Sequence, residues 1–165
     1  MIVYILTTGR AGSSSLSKVL HTQLKCHMGY SFRDEDIINP NGYWEDLELH
    51  NLNISFIKGH ISFPEFSTKI KNTIIKRNQQ HNIWGFKDPL LCYSIGIFLS
   101  LSNQKTLLIN CHRNKELIIN SFTHLSSSYS NLNKYYSLRN NKQEYLTNSI
   151  IMVRSIPKTL YTSRS

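Results

Sequence analysis

Arg10-Ala11-Gly12-Ser13-Ser14-Ser15 gathers a guanidinium, a glycine and three hydroxyls into one short stretch, a set suited to holding an anion. Glycine lets a phosphate or sulfate approach the main chain, the serines add donors, and Arg10 supplies the formal charge. Two further side chains have chemistry to offer. Lys87 stands before Asp88-Pro89 at the end of an apolar run, and a lysine at a strand's carboxyl end faces the crevice where open α/β sheets bind ligands. Glu45, in Tyr43-Trp44-Glu45-Asp46, is a carboxylate beside an aromatic wall, the makings of a general base. Ser121 falls inside an apolar stripe, where its hydroxyl needs either the carbonyl four residues earlier or a ligand. Plainer readings exist for each: a βα turn with a serine cap, a lysine snorkelling at a sheet edge, and a first-turn acid complementing a helix dipole.

The elements that must position these groups follow from the apolar pattern. Ile2 to Leu6 is a short run of β-formers, and Leu16, Val19, Leu20 and Leu24 recur at helical spacing, which starts the first helix near Ser13 and aims its N–H groups at the loop. Lys25 to Ser31 reads as a second short strand, and Asn39-Pro40-Asn41-Gly42 as a turn. Pro64-Glu65 opens a helix carrying Phe66, Ile70 and Ile74. Ile83-Trp84-Gly85-Phe86-Lys87-Asp88-Pro89 reads as a strand stopped by its proline, followed by a helix with Leu90, Leu91, Ser94, Ile95, Phe98 and Leu99 on its apolar face. Thr106 to Cys111 reads as the clearest buried strand and leads into a helix with Leu117, Ile118, Phe122 and Leu125 inward. Region 126–165 reads as helical around Tyr145 to Val153, with a frayed tail and its completeness open.

With 165 residues and 40% hydrophobic composition, the chain is expected to form a single domain with one core. It has no basic leader with a long apolar core and no run of membrane-helix length, so a cytoplasmic location and no membrane partner are expected. Cys26, Cys92 and Cys111 are odd in number and form no CxxC, which fits reduced thiols. Cys26-His27 and Cys111-His112 are neighbours rather than spaced ligand pairs, so no metal is expected. The net charge of +9 is uneven: residues 1–33 hold four basic and no acidic side chains, 34–48 six acidic and no basic, and 89–165 nine basic against two acidic. Such a balance attracts polyanions, yet the basic residues are dispersed, and a cleft for a small anionic cofactor accounts for them as well as nucleic acid does.

No lysine follows Gly12, so the loop does not fit G-x-x-x-x-G-K-[ST]. Arg10-Ala11-Gly12-Ser13-Ser14 instead resembles the phosphosulfate-binding loop of sulfotransferases, R/K-S-G-T/S-T/S, with Ala11 in place of serine. Asn39 to Asp46 is similar to the N-P-x-G-Y-[FWY]-E-D/N segment of sulfotransferase-like proteins, and Trp84 to Pro89 resembles a second signature of that family. Arg113 and Ser121 match R-N-P-x-x-x-x-x-S, with which sulfotransferases hold the donor's 3′-phosphate, Lys115 taking the proline position. Lys58-Gly59-His60 has the K-x-H spacing of the strand that supplies the family's catalytic histidine, but Lys87, 26 residues before Arg113, is the closer topological equivalent of its lysine. The R-K-G triplet and the aromatic residue after the hydroxyl pair are both absent; Ser15-Leu16 stands where the latter would be.

The resemblance implies a three-layer α/β fold with a mainly parallel central sheet flanked by helices, of the sulfotransferase or P-loop type. It implies 3′-phosphoadenosine 5′-phosphosulfate (PAPS) as donor and a hydroxyl or amine acceptor on a small molecule, glycan or peptide. The chemistry would be in-line sulfuryl transfer, helped by the N–H groups of Gly12 to Ser14, with Arg10 and Lys87; Glu45 is the first candidate base and His60 the second. A nucleotide or small-molecule kinase would use ATP with Mg²⁺, and a non-catalytic anion- or nucleic-acid-binding protein would need neither Lys87 nor an acceptor pocket.

Overall fold

A computed structural model describes residues 1–36 and 39–128. The order of elements is β1 (Ile2–Thr7), α1 (Ser13–Thr22), α2 (Leu47–Ile57), α3 (Phe63–Gln80), β2 (Trp84–Lys87), α4 (Leu91–Leu101), β3 (Thr106–Cys111) and α5 (Lys115–Ser128). The three strands form a parallel sheet in the order β2-β1-β3. The fold is therefore α/β, a small parallel sheet with helices on both faces.

β1 is buried along its whole length, and its alternation divides the core in two. Ile2, Tyr4 and Leu6 face Leu49 of α2, Phe66, Ile70 and Ile74 of α3, and Leu91, Ile95 and Phe98 of α4. Val3 and Ile5 face Cys26, Met28 and the half-buried Leu16 and Leu20 of α1. Because β1 is in register with β2 through Ile5 and Lys87, Lys87 shares Ile5's face and points toward α1. Gly85 belongs to the same packing: a Cβ there would meet the Val3 carbonyl oxygen at 2.6 Å and Met28 Sδ at 2.7 Å.

Several expectations are corrected. Lys25 to Ser31 makes one parallel bridge, His27 to Trp84, rather than a strand; Lys25, at φ 52, turns the chain immediately before it. β3 is half-buried, with Leu107 47% exposed, because among the described residues it pairs only with β1. Val19 of the first helix stands exposed, Leu24 lies beyond the helix end and is exposed too, and the helix's buried residues are Ser13 and Ser17. Leu117 is exposed while Ile118 is buried. The side chains of Phe122 and Leu125, and the readings for region 129–165, lie outside the described residues.

The three cysteines are free. Among the described residues no helix is long and apolar enough to cross a membrane.

Candidate functional site

All three strands run the same way, so the loops after β1, β2 and β3 leave from one edge of the sheet. β1 is followed in space by β2 on one side and β3 on the other, which makes the edge between β1 and β3 a switch point of the kind where open sheets bind ligands. The loop Thr8–Gly12 and the turn His112–Asn114 meet there.

The loop turns sharply, with Gly9, Arg10 and Gly12 at φ 81, 56 and 81. Only glycine adopts this region without cost, so the non-glycine Arg10 is held by its surroundings. Its Nε donates to Ser121 Oγ at 3.0 Å, and Arg113 Nη1 donates to the Arg10 carbonyl at 3.1 Å. Arg10, Arg113 and Ser121 are thus brought together, with Arg10 rather than Arg113 on the serine. Gly12 is the N-cap of α1 with no side-chain cap, and a Cβ on it would meet nothing within 4 Å. Ala11 is half-buried, Ser13 buried, Ser14 exposed to an intermediate degree and Ser15 exposed. Ser14 Oγ donates to the Tyr43 carbonyl at 3.0 Å.

Lys87 is 2% exposed at the end of β2, and all three of its donors are engaged. Its Nζ donates to Tyr43 O at 2.6 Å, Glu45 Oε1 at 2.9 Å and Ser14 Oγ at 3.3 Å. Lys87, Glu45 and Ser14 therefore converge from three separate segments. Glu45 is not a first-turn acid: α2 begins at Leu47, and Asp46 is its N-cap, accepting from the Leu49 N–H at 3.0 Å. Glu45 lies one residue earlier and is buried, held by Lys87 and, at 3.4 Å, by Arg33 Nη1.

His60 lies apart from this cluster. It follows the C-terminal end of α2, whereas Glu45 precedes the N-terminal end, and the helix spans about 16 Å. His60 is also exposed.

Further groups adjoin Glu45: His50 and Asn53, which no motif singled out, and Asp88, the residue after Lys87 in the Trp84 to Pro89 segment. His50 Nδ1 is 3.1 Å from Asp88 Oδ2 and 3.8 Å from Glu45 Oε2. Asp88 is fully buried; its Oδ1 accepts from the Leu90 N–H at 2.8 Å, and its Oδ2 also accepts from Asn53 Nδ2 at 3.2 Å. Asn53 Oδ1 in turn accepts from Ser94 Oγ at 2.8 Å. Burial pulls the His50 pKa down, but the hydrogen bond to Asp88 and the charges of Asp88 and Glu45 together raise it above the usual histidine value. Glu45, His50 and Asp88 each offer one atom within 4.8 Å of the others. Lys87 and Arg33 already neutralise Glu45, and the whole reads as a hydrogen-bonded ion-pair network. His50 and Asn53 share one face of α2 by their three-residue spacing, a signal present in the sequence, but nothing local ties them to Asp88, 38 residues after His50.

Arg33 stacks over the Tyr43 ring at 3.9 Å, and the Tyr43 hydroxyl donates to Asp36. Burial, reinforced by Asp36, raises the Tyr43 pKa. Tyr43 and Glu45 thus cover the end of β2 at Lys87. What such a site can do is bind an anion at the uncapped helix start between Arg10 and Lys87, with a carboxylate and an imidazole alongside. This arrangement stands on its own residues: no family model, no curated protein and no solved structure matches the chain.

Proposed function

We propose that the chain is a sulfotransferase of the three-layer, P-loop-related type, carrying a sulfuryl group from PAPS to a hydroxyl or amine on a small molecule, glycan or peptide. The observation that carries this reading is the meeting of Lys87 Nζ with Ser14 Oγ in the first turn of α1 and with Glu45. Sulfuryl transfer develops negative charge on the oxygen that leaves with the adenosine bisphosphate. A desolvated lysine beside an anion-binding loop stabilises that charge more in the transition state than before it.

The donor's chemistry fits the residues present. The N-terminus of α1 has no side-chain cap, and Gly12 leaves open space beside its backbone. Arg10, Arg113 and Ser121 sit together at the neighbouring switch point, where a second anionic group of the same molecule would lie. Lys87 would exchange one of its three present acceptors for a donor oxygen. The parallel order β2-β1-β3, with His27 bridged beyond β2, is compatible with the P-loop-related family of folds.

A thermal-shift panel tests the reading. Adenosine 3′,5′-bisphosphate should stabilise the protein more than adenosine 5′-monophosphate, ATP with Mg²⁺ or a mixed oligonucleotide. A larger shift with ATP and Mg²⁺ would move the assignment to a kinase, and a larger shift with the oligonucleotide to a nucleic-acid-binding protein.

A further inference from the structure

We propose that His50, oriented by Asp88, is the catalytic base of this transfer, and that its substrate is an acceptor hydroxyl. The inference rests on the sulfuryl-transfer reading and replaces Glu45 and His60 in that role. Glu45 is committed elsewhere: one carboxylate oxygen takes Lys87 at 2.9 Å and the other faces Arg33 at 3.4 Å, so its charge serves to hold two cations. His60 is at the far end of α2.

The hydrogen bond between His50 and Asp88 has one workable direction. Asp88 Oδ2 is a carboxylate oxygen and accepts, so His50 Nδ1 carries the proton and donates at 3.1 Å. The neutral ring then presents its lone pair at Nε2. Among the described residues Nε2 has no hydrogen-bond partner, and it is not among the buried unpartnered atoms. The His50 side chain is 12% exposed, so part of the ring meets solvent while Nδ1 is anchored inside. Asp88 cannot drift, because the Leu90 N–H and Asn53 Nδ2 hold both of its oxygens, and Ser94 holds Asn53. Asp88, Asn53 and Ser94 are positioning residues: they fix the tautomer and ring orientation that a base requires.

The step balances as follows. The acceptor O–H bond breaks and its proton passes to His50 Nε2. The acceptor oxygen forms a bond to sulfur, while the bond from sulfur to the donor's 5′-phosphate oxygen breaks. The electron pair leaves on that oxygen, where Lys87 offsets the charge. His50 is linked to Lys87 through a single carboxylate, Glu45, so base and cation belong to one network. The charged groups facing the ring are Asp88 from the β2–α4 turn and Glu45 and Arg33 from the loop before α2. The two carboxylates favour the imidazolium that forms and Arg33 opposes it.

The test begins with ¹⁵N NMR of the imidazoles in the full chain without donor. His50 should show the Nδ1–H tautomer. In Asp88→Ala, which takes away the carboxylate that Nδ1 donates to, the preference for the Nδ1–H tautomer should be lost. With donor and a mixture of alcohol and phenol acceptors, His50→Gln should lower kcat by on the order of 10²-fold or more and leave the donor KM within about threefold. It should also remove the limb of the pH–rate profile on which activity rises as the imidazole loses its proton. An Nε2–H tautomer in the wild-type protein, or full turnover in His50→Gln, overturns the proposal. Failure of adenosine bisphosphate to bind overturns the sulfuryl-transfer reading separately, since the tautomer is read without any donor.

Discussion

Lys87 Nζ and Glu45 Oε1 lie 2.9 Å apart with both side chains 2% exposed, so the cation at the end of β2 and the carboxylate before α2 form one buried pair. Removing one partner of such a pair leaves an uncompensated charge, at a cost of about 3–5 kcal/mol. Lys87→Met should lower unfolding stability by less than that full amount in urea titrations, because Arg33 stays 3.4 Å from Glu45. Adding Glu45→Gln should recover part of the loss, and a strictly additive double variant would show that the two charges are not coupled.

Activity should separate Lys87 from Lys58. Below the melting range of each variant, Lys87→Ala should lower kcat by on the order of 10²-fold or more while changing adenosine 3′,5′-bisphosphate affinity less than about tenfold. Lys58→Ala should do neither. Transfer assays run beside isothermal titration decide this, and full turnover in Lys87→Ala would remove β2 from the catalytic site.

Arg113 donates to the Arg10 carbonyl, and Arg10 donates to Ser121, so a 3′-phosphate would enter a group of donors already assembled. Arg113 is exposed, so Arg113→Ala should weaken adenosine 3′,5′-bisphosphate binding by about 1 kcal/mol and leave adenosine 5′-monophosphate nearly unchanged. Equal losses for both ligands would mean that Arg113 does not read the 3′-phosphate.

Mg²⁺ should be dispensable, because Lys87 and Arg33 already occupy the charge of Glu45 and Asp88 is bound by Leu90, Asn53 and His50. Donor-dependent transfer should persist in a chelator. Loss of transfer that added Mg²⁺ restores would point to kinase-like chemistry.

Two histidines should give opposite pH signatures. Burial first, then the charges of His81, Arg77 and His21, lowers the His27 pKa to about 4, and its ring stacks on His81 at 3.8 Å. The unfolded chain therefore binds the proton more readily, and stability should fall as pH drops from about 6.5 toward about 4. His50 is raised, so its contribution is present in acid and is lost as pH climbs through its folded value. Urea midpoints across pH 4.5–8 measure both: His27→Gln should flatten the acid side and His50→Gln the neutral side.

Local sequence determined a good part of this protein. β1, the start of α1 at Ser13, the helix opened at Pro64 and the strand ending at Lys87 are legible because strand and helix periodicity, capping and proline act within a few residues. The grouping of a guanidinium, a glycine and three hydroxyls in Arg10 to Ser15 is equally local. Tertiary structure alone decided that Glu45 lies outside its helix and under Lys87, that β3 is half-exposed, and that His50, Asn53, Asp88 and Ser94 form one buried chain of hydrogen bonds. These depend on the sheet order β2-β1-β3 and on the face Lys87 inherits from its register with Ile5. Contacts between residues about 40 positions apart carry no periodic signature; they arise only when strands pair and helices close over them.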